Sequence, residues 1–159
     1  MGVAVPSPHV TVRAGSAGRG PAVVVMAAGA VVVIVGSLLP WLRTGGRRRH
    51  SYDLFELVER LGFAPSGPVA TALRWWPLVP LLAVSAVVAA WWGWPRAGGL
   101  VGVIAALYAG AIALAVSLAP TGRAIDALVG APVTIVGAVV LLAGAVAAIV
   151  AGFRACLRR

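Results

Sequence analysis

The 159 residues contain no lysine, one cysteine, two histidines and four acidic residues. Each scarcity removes a class of chemistry. A lone Cys156 cannot close an intramolecular disulfide and reads as an ordinary free thiol in the tail 153–159. His9 falls in a Gly/Pro/Ser-containing leading segment, and His50 follows a run of arginines. Asp53, Glu56 and Glu59 share one loop, while Asp126 stands apart. No subset has the spacing of a metal site, and His50 with Asp53 is too small a group to gather around a substrate. Neither an enzyme nor a bound metal or cofactor is expected.

Charge is missing in a more telling way from four stretches, residues 22–42, 75–94, 98–119 and 131–152. Each is about 20 residues long and apolar, enough for a helix to cross a hydrocarbon core of about 30 Å. With 61% hydrophobic residues and a mean hydropathy of +1.00, the chain lies far outside the soluble globular range. The segments between the stretches are too short to bury a soluble core. The expected fold is an all-α integral membrane protein, a four-transmembrane-helix bundle within residues 21–153. Residues 1–20 read as a disordered tail and 154–159 as a basic one. The first stretch is too long for the apolar part of a signal peptide and lacks a small-residue cleavage site, so it reads as a retained span.

The positive charge is abundant but peripheral. All thirteen cations are arginines, giving a formal net charge of +9. They sit at span ends and in tails, where cations contact lipid phosphates, and no basic recognition helix supports nucleic-acid binding. The one dense group is Arg43, Arg47, Arg48 and Arg49. Arginine suits bidentate phosphate contacts, so this group is the candidate contact for anionic lipid headgroups or an acidic partner. Downstream, Leu54, Phe55, Val58 and Leu61 share one helical face, and Asp53, Glu56, Glu59 and Arg60 the other. That split predicts a short amphipathic helix over residues 51–62 lying in the membrane interface.

Aromatic and small residues mark the ends and faces of the spans. Trp41, Trp75, Trp76, Trp91, Trp92 and Trp94 lie at span ends, as expected of interface anchors. The short linker 95–97 makes the second and third spans antiparallel neighbours. Small residues recur at every fourth position as Gly98, Gly102, Ala106 and Gly110, and again as Gly144, Ala148 and Gly152. Such rows let helix backbones approach closely in lipid, against the same chain or a second copy. Gly29-Ala30-Val31-Val32 with Gly36 is echoed by Gly137-Ala138-Val139-Val140 with Gly144, a match that low complexity explains most cheaply. Hydroxyls inside the spans, on Ser37, Ser85, Tyr108, Ser117 and Thr134, are expected to bond within the helices.

The run Gly36-Ser37-Leu38-Leu39-Pro40-Trp41, a Gly/Arg turn and Ser51-Tyr52-Asp53-Leu54 resembles a pattern in uncharacterised actinobacterial four-span proteins, in which Leu-Pro-Trp closes the first helix. The resemblance implies a plasma-membrane protein with its first loop outside and supplies no activity. Arginine placement alone does not orient the chain. With both termini cytoplasmic, Arg13, Arg19, Arg96, Arg154, Arg158 and Arg159 lie inside, and Arg43, Arg47, Arg48, Arg49, Arg60, Arg74 and Arg123 outside. The expectation is a multi-pass inner-membrane protein with cytoplasmic termini. It would act without catalysis, as an accessory, assembly or envelope-associated protein. The alternative is a small oligomeric transporter or channel for a hydrophobic or uncharged solute. Small four-span exporters depend on an embedded glutamate, and no span here has one.

Overall fold

A computed structural model describes residues 20–44, 47–50, 74–118, 125–127 and 129–157, with backbone alone for 42–44, 47–50 and 125–127. Among these the elements run α1 (Gly20–Leu38), β1 (Pro40–Thr44), β2 (Arg47–His50), a 3-10 turn (Trp76–Leu78), α2 (Val79–Trp91), α3 (Pro95–Leu118), β3 (Ile125–Ala127) and α4 (Gly130–Leu157). α1, α3 and α4 are long and apolar enough to cross a membrane, while the apolar helix Trp76–Trp91 is shorter. The predicted tail 1–20 lies outside the described residues except for Gly20, which opens α1, and the predicted interfacial helix 51–62 lies wholly outside them. The expected tail at 154–159 is helical through Leu157.

Proline and glycine place the helix ends. α1 stops at Leu38 rather than at residue 42. Pro40 has no N–H, its ring would collide with the Gly36 carbonyl, and it pushes Leu39 out of the helical region. At the other end of the fold, α2 stops at Trp91 and α3 already begins at Pro95, so the turn is Trp92–Trp94 rather than 95–97. Gly93 adopts φ 95° there. Its N–H donates to the Ala90 carbonyl, and the Trp94 N–H reaches back to Ala89 at 3.0 Å. These two bonds make the Schellman closure, and Pro95 then starts α3 with its φ preset. Gly93→Ala forces a Cβ into the left-handed region and is expected to destabilise the bundle by about 1 kcal/mol, read from its unfolding midpoint in detergent.

The four helices pack in a ring, α1 on α4, α4 on α3, α3 on α2 and α2 on α1. The bundle is small inside and large outside. Ala83, Ala86, Ala105, Ala109, Ala113 and Ala145 are fully buried, whereas Val24, Val31, Leu81, Leu100, Leu107 and Val139 are exposed. That arrangement suits lipid, in which large side chains lose nothing by facing outward and close backbone approach supplies the dispersion contact.

The tightest seam joins α1 to α4. A Cβ on Gly29 would strike the backbone of Leu141, and one on Gly36 would strike Thr134. Reciprocally, a Cβ on Gly137 would meet Val33 N at 2.6 Å, and one on Gly144 would meet Met26 N at 2.5 Å. The partner numbers fall along α4 as they rise along α1, so the helices are antiparallel. The two seven-residue glycine pairs interlock about a local pseudo-twofold, each filling space the other leaves. The echo between the two helices therefore has a packing cause beyond low complexity: both glycine pairs are required by one shared seam.

The expectation of a purely helical chain needs correction. β1 pairs with β2 and with β3, both antiparallel, in the order β2-β1-β3. Thr44 stands opposite Arg47, so β1 and β2, consecutive in the chain, form an antiparallel hairpin. β3 comes from the segment between α3 and α4. The described parts of the two longer connections thus meet in one small sheet at one end of the bundle. Trp92–Trp94 and the far ends of α1 and α4 lie at the other.

Candidate functional site at the sheet end

Trp41 links the helices to the sheet. The β1–β2 register advances two residues from Pro40 to Leu42 while β2 advances one, leaving Trp41 as a bulge. Bulges redirect side chains, and this one turns the indole into the bundle. Trp41 is fully buried, and its Nε1–H donates to the Gly36 carbonyl at 2.8 Å. That carbonyl would ordinarily accept from the N–H four residues on, which at Pro40 does not exist. The indole supplies the missing donor. Proline and tryptophan in this motif therefore form one device: the first ends the helix and the second satisfies the acceptor it strands.

A small aromatic cluster grows from that bond. Trp41 meets Trp76 edge-to-face at 5.2 Å and 78°, and Trp76 lies tilted beside Tyr108 at 6.4 Å. Gly130 opens α4 against the Trp41 indole, with no room for a Cβ. Trp41 and Trp76 are therefore not interface anchors, as their span-end positions suggested. Both are fully buried because packing on each other and on Tyr108 closes the bundle end. Trp75, Trp91, Trp92 and Trp94 are exposed, Trp92 the most at 79%.

The arginines lie on the sheet above this cluster. Arg43 is in the central strand β1, with Arg47, Arg48 and Arg49 filling most of the edge strand β2. In register, Arg43 stands opposite Arg48 on one side and Asp126 on the other. Pairing brings the four cations onto two adjacent strands, Arg43 and Arg48 at one register position and Arg47 and Arg49 at alternate ones, and sets Asp126, more than 80 residues away, opposite Arg43.

The small-residue rows serve several neighbours at once. Gly98 faces α2, where a Cβ would lie 2.5 Å from the Ala86 carbonyl oxygen. Gly102 sits where Met26, Ala86 and Ala145 converge from the other three helices. Ala106 and Ala148 are buried, and Gly110 meets Ala138 at an ordinary 3.5 Å. Gly144 faces Met26 of α1, and Gly152 faces Arg96 and Pro95 of α3. Glycines 29, 36, 130 and 137 were not among the expected packing residues, although their backbones approach as closely. Their seven-residue spacing was the available signal, obscured by counting in fours.

Hydroxyls in the helices bond back to their own backbone. Ser37 donates to Ile34 O, Ser85 to Leu82 O, Ser117 to Ala113 O and Thr134 to Gly130 O, at 2.7 to 3.0 Å. Long apolar helices, charged only by Arg96 and Arg154 at their ends, with small residues inside and large apolar ones outside, define a helical membrane protein. Comparison with known protein families, with curated proteins and with solved structures finds no match.

Proposed function

We propose that the chain is a four-span plasma-membrane protein with cytoplasmic termini, acting without catalysis as an accessory or assembly protein. Its arginine-bearing hairpin contacts a protein partner or anionic lipid outside the membrane. The observation that carries this reading is the gathering of Arg43, Arg47, Arg48 and Arg49 on one hairpin at one bundle end. The interior beneath it is filled by close helix contacts such as Gly29 against the Leu141 backbone and Gly102 against the Ala145 methyl. A solute path would have to separate those contacts or run between copies, which weighs against a transporter.

The fourth crossing rests on Trp76–Trp91. Its 16 residues span about 24 Å, somewhat short of the hydrocarbon core. It runs antiparallel to α3 through a three-residue turn, so its ends lie at opposite ends of the bundle. Exposed Trp75, Trp91 and Trp92 carry both ends into the headgroup region, where slight local thinning covers the mismatch. Orientation rests on the commoner arrangement of even-numbered spans, in which both tails stay untranslocated, and on the likeness of residues 36–41 and 51–54 to actinobacterial four-span proteins.

Reporter fusions test this. Alkaline phosphatase inserted at Gly67 is expected to be active, and a fluorescent protein at the C-terminus to fluoresce. The reverse pattern would place the hairpin in the cytoplasm and remove the outward partner.

A further inference from the structure

At the end opposite the sheet, the α2–α3 turn and the last turns of α4 enclose an open notch of about 370 Å3. Its walls include Trp94, Pro95, Arg96, Gly152, Ala155 and Cys156. Arg96 is held rather than free. Its Nη2 donates to the Gly152 carbonyl at 3.1 Å, and its guanidinium lies 4.5 Å over the Phe153 ring. Among the described residues no acidic side chain stands beside it: Asp126 lies in β3 at the far end. The planar fork keeps further N–H donors for an oxyanion.

The rim names the source of that oxyanion. Trp91, Trp92, Trp94 and Phe153 are all exposed around this end. Such rings settle at the headgroup level of a bilayer, where the phosphates also lie. Counted along the sequence, the stretches that adjoin the helix ends on this side, 1–19, 92–97 and 154–159, hold six arginines and no acid, whereas 39–75 and 119–129 hold seven arginines and four acids. The notch therefore faces the more uniformly cationic side, which favours an anionic leaflet.

We infer that this notch seats the phosphate of an anionic phospholipid, with Arg96 as its direct ligand. The inference rests on the membrane reading of the fold but on neither the hairpin's partner nor the orientation. Full-length protein in mild detergent, examined by native mass spectrometry with added phosphatidylglycerol or phosphatidylcholine, tests it. Wild type is expected to retain the anionic lipid about fivefold better, the effect of one near-surface cation. Arg96→Gln should erase the preference. So should Ala155→Phe, which fills the notch and leaves the charge, while Arg154→Gln should keep it. Equal retention of the two lipids by wild type, or an unchanged preference in both Arg96→Gln and Ala155→Phe, would overturn the site. Displacement of the lipid by millimolar inorganic phosphate would overturn the lipid as its occupant. Failure of the membrane reading would show separately, as protein recovered from the soluble fraction before any lipid is added.

Discussion

Gly29→Ala and Gly137→Ala are each expected to destabilise the bundle by about 2–3 kcal/mol, while Gly110→Ala leaves it unchanged or more stable. In an exposed helix the same change is favourable, because alanine has the better helix propensity by about 1 kcal/mol. The sign reverses at Gly29 and Gly137 because the added methyl would lie inside the backbone of the facing helix. Backbone cannot yield as a flexible side chain can, so α1 and α4 must move apart along the seam. At Gly110 the nearest atom is Ala138 Cβ at 3.5 Å, and nothing has to move. The double variant Gly29→Ala/Gly137→Ala should cost less than the sum of its parts, since one separation relieves both collisions. Unfolding by dodecyl sulfate from mixed micelles, followed by circular dichroism, measures all four proteins. A Gly29→Ala protein as stable as Gly110→Ala would mean that the helices do not meet so closely.

Trp41→Ala is expected to cost about 3–5 kcal/mol, the cavity cost of deleting a buried indole. Trp41→Phe keeps much of the volume yet still costs about 1–3 kcal/mol, because the Gly36 carbonyl is left without its donor. The proline beside it allows a sharper check. Pro40→Ala returns a backbone N–H at the position from which a helix would supply one. Trp41→Phe should therefore cost less in the Pro40→Ala background than alone. Equal costs in both backgrounds would show that the indole matters for volume only. Quenching by acrylamide offers an independent measurement. Trp41→Phe and Trp76→Phe should remove shielded emission, and Trp92→Phe accessible emission.

The long helices were legible because membrane spans declare themselves through length and the absence of charge, both local properties. Their ends were less so. Residues 39–42 and 92–94 are apolar enough to join the spans beside them, yet Pro40 and Gly93 turn the chain first. The sheet escaped notice because β1 contains apolar residues that also complete the first span, and because β3 pairs with it from the far side of two helices. Six tryptophans at span ends look alike in sequence. What separates Trp41 and Trp76 from the other four is their mutual contact, which exists only once α1, α2 and α3 are assembled. The arginine group was found by simple density along the chain, while the placement of Asp126 opposite Arg43 depended on tertiary register.

The closest seam in the molecule joins the first described helix to the last. Synthesis at roughly 5–20 residues per second delivers the Gly137 face several seconds after the Gly29 face, since about a hundred residues separate them. Throughout that interval α1 waits in the bilayer with its notched side facing lipid or a chaperone. Consolidation is thus timed by the arrival of α4, and a ribosome that stalls beforehand leaves behind an unfinished bundle that quality-control proteases can recognise.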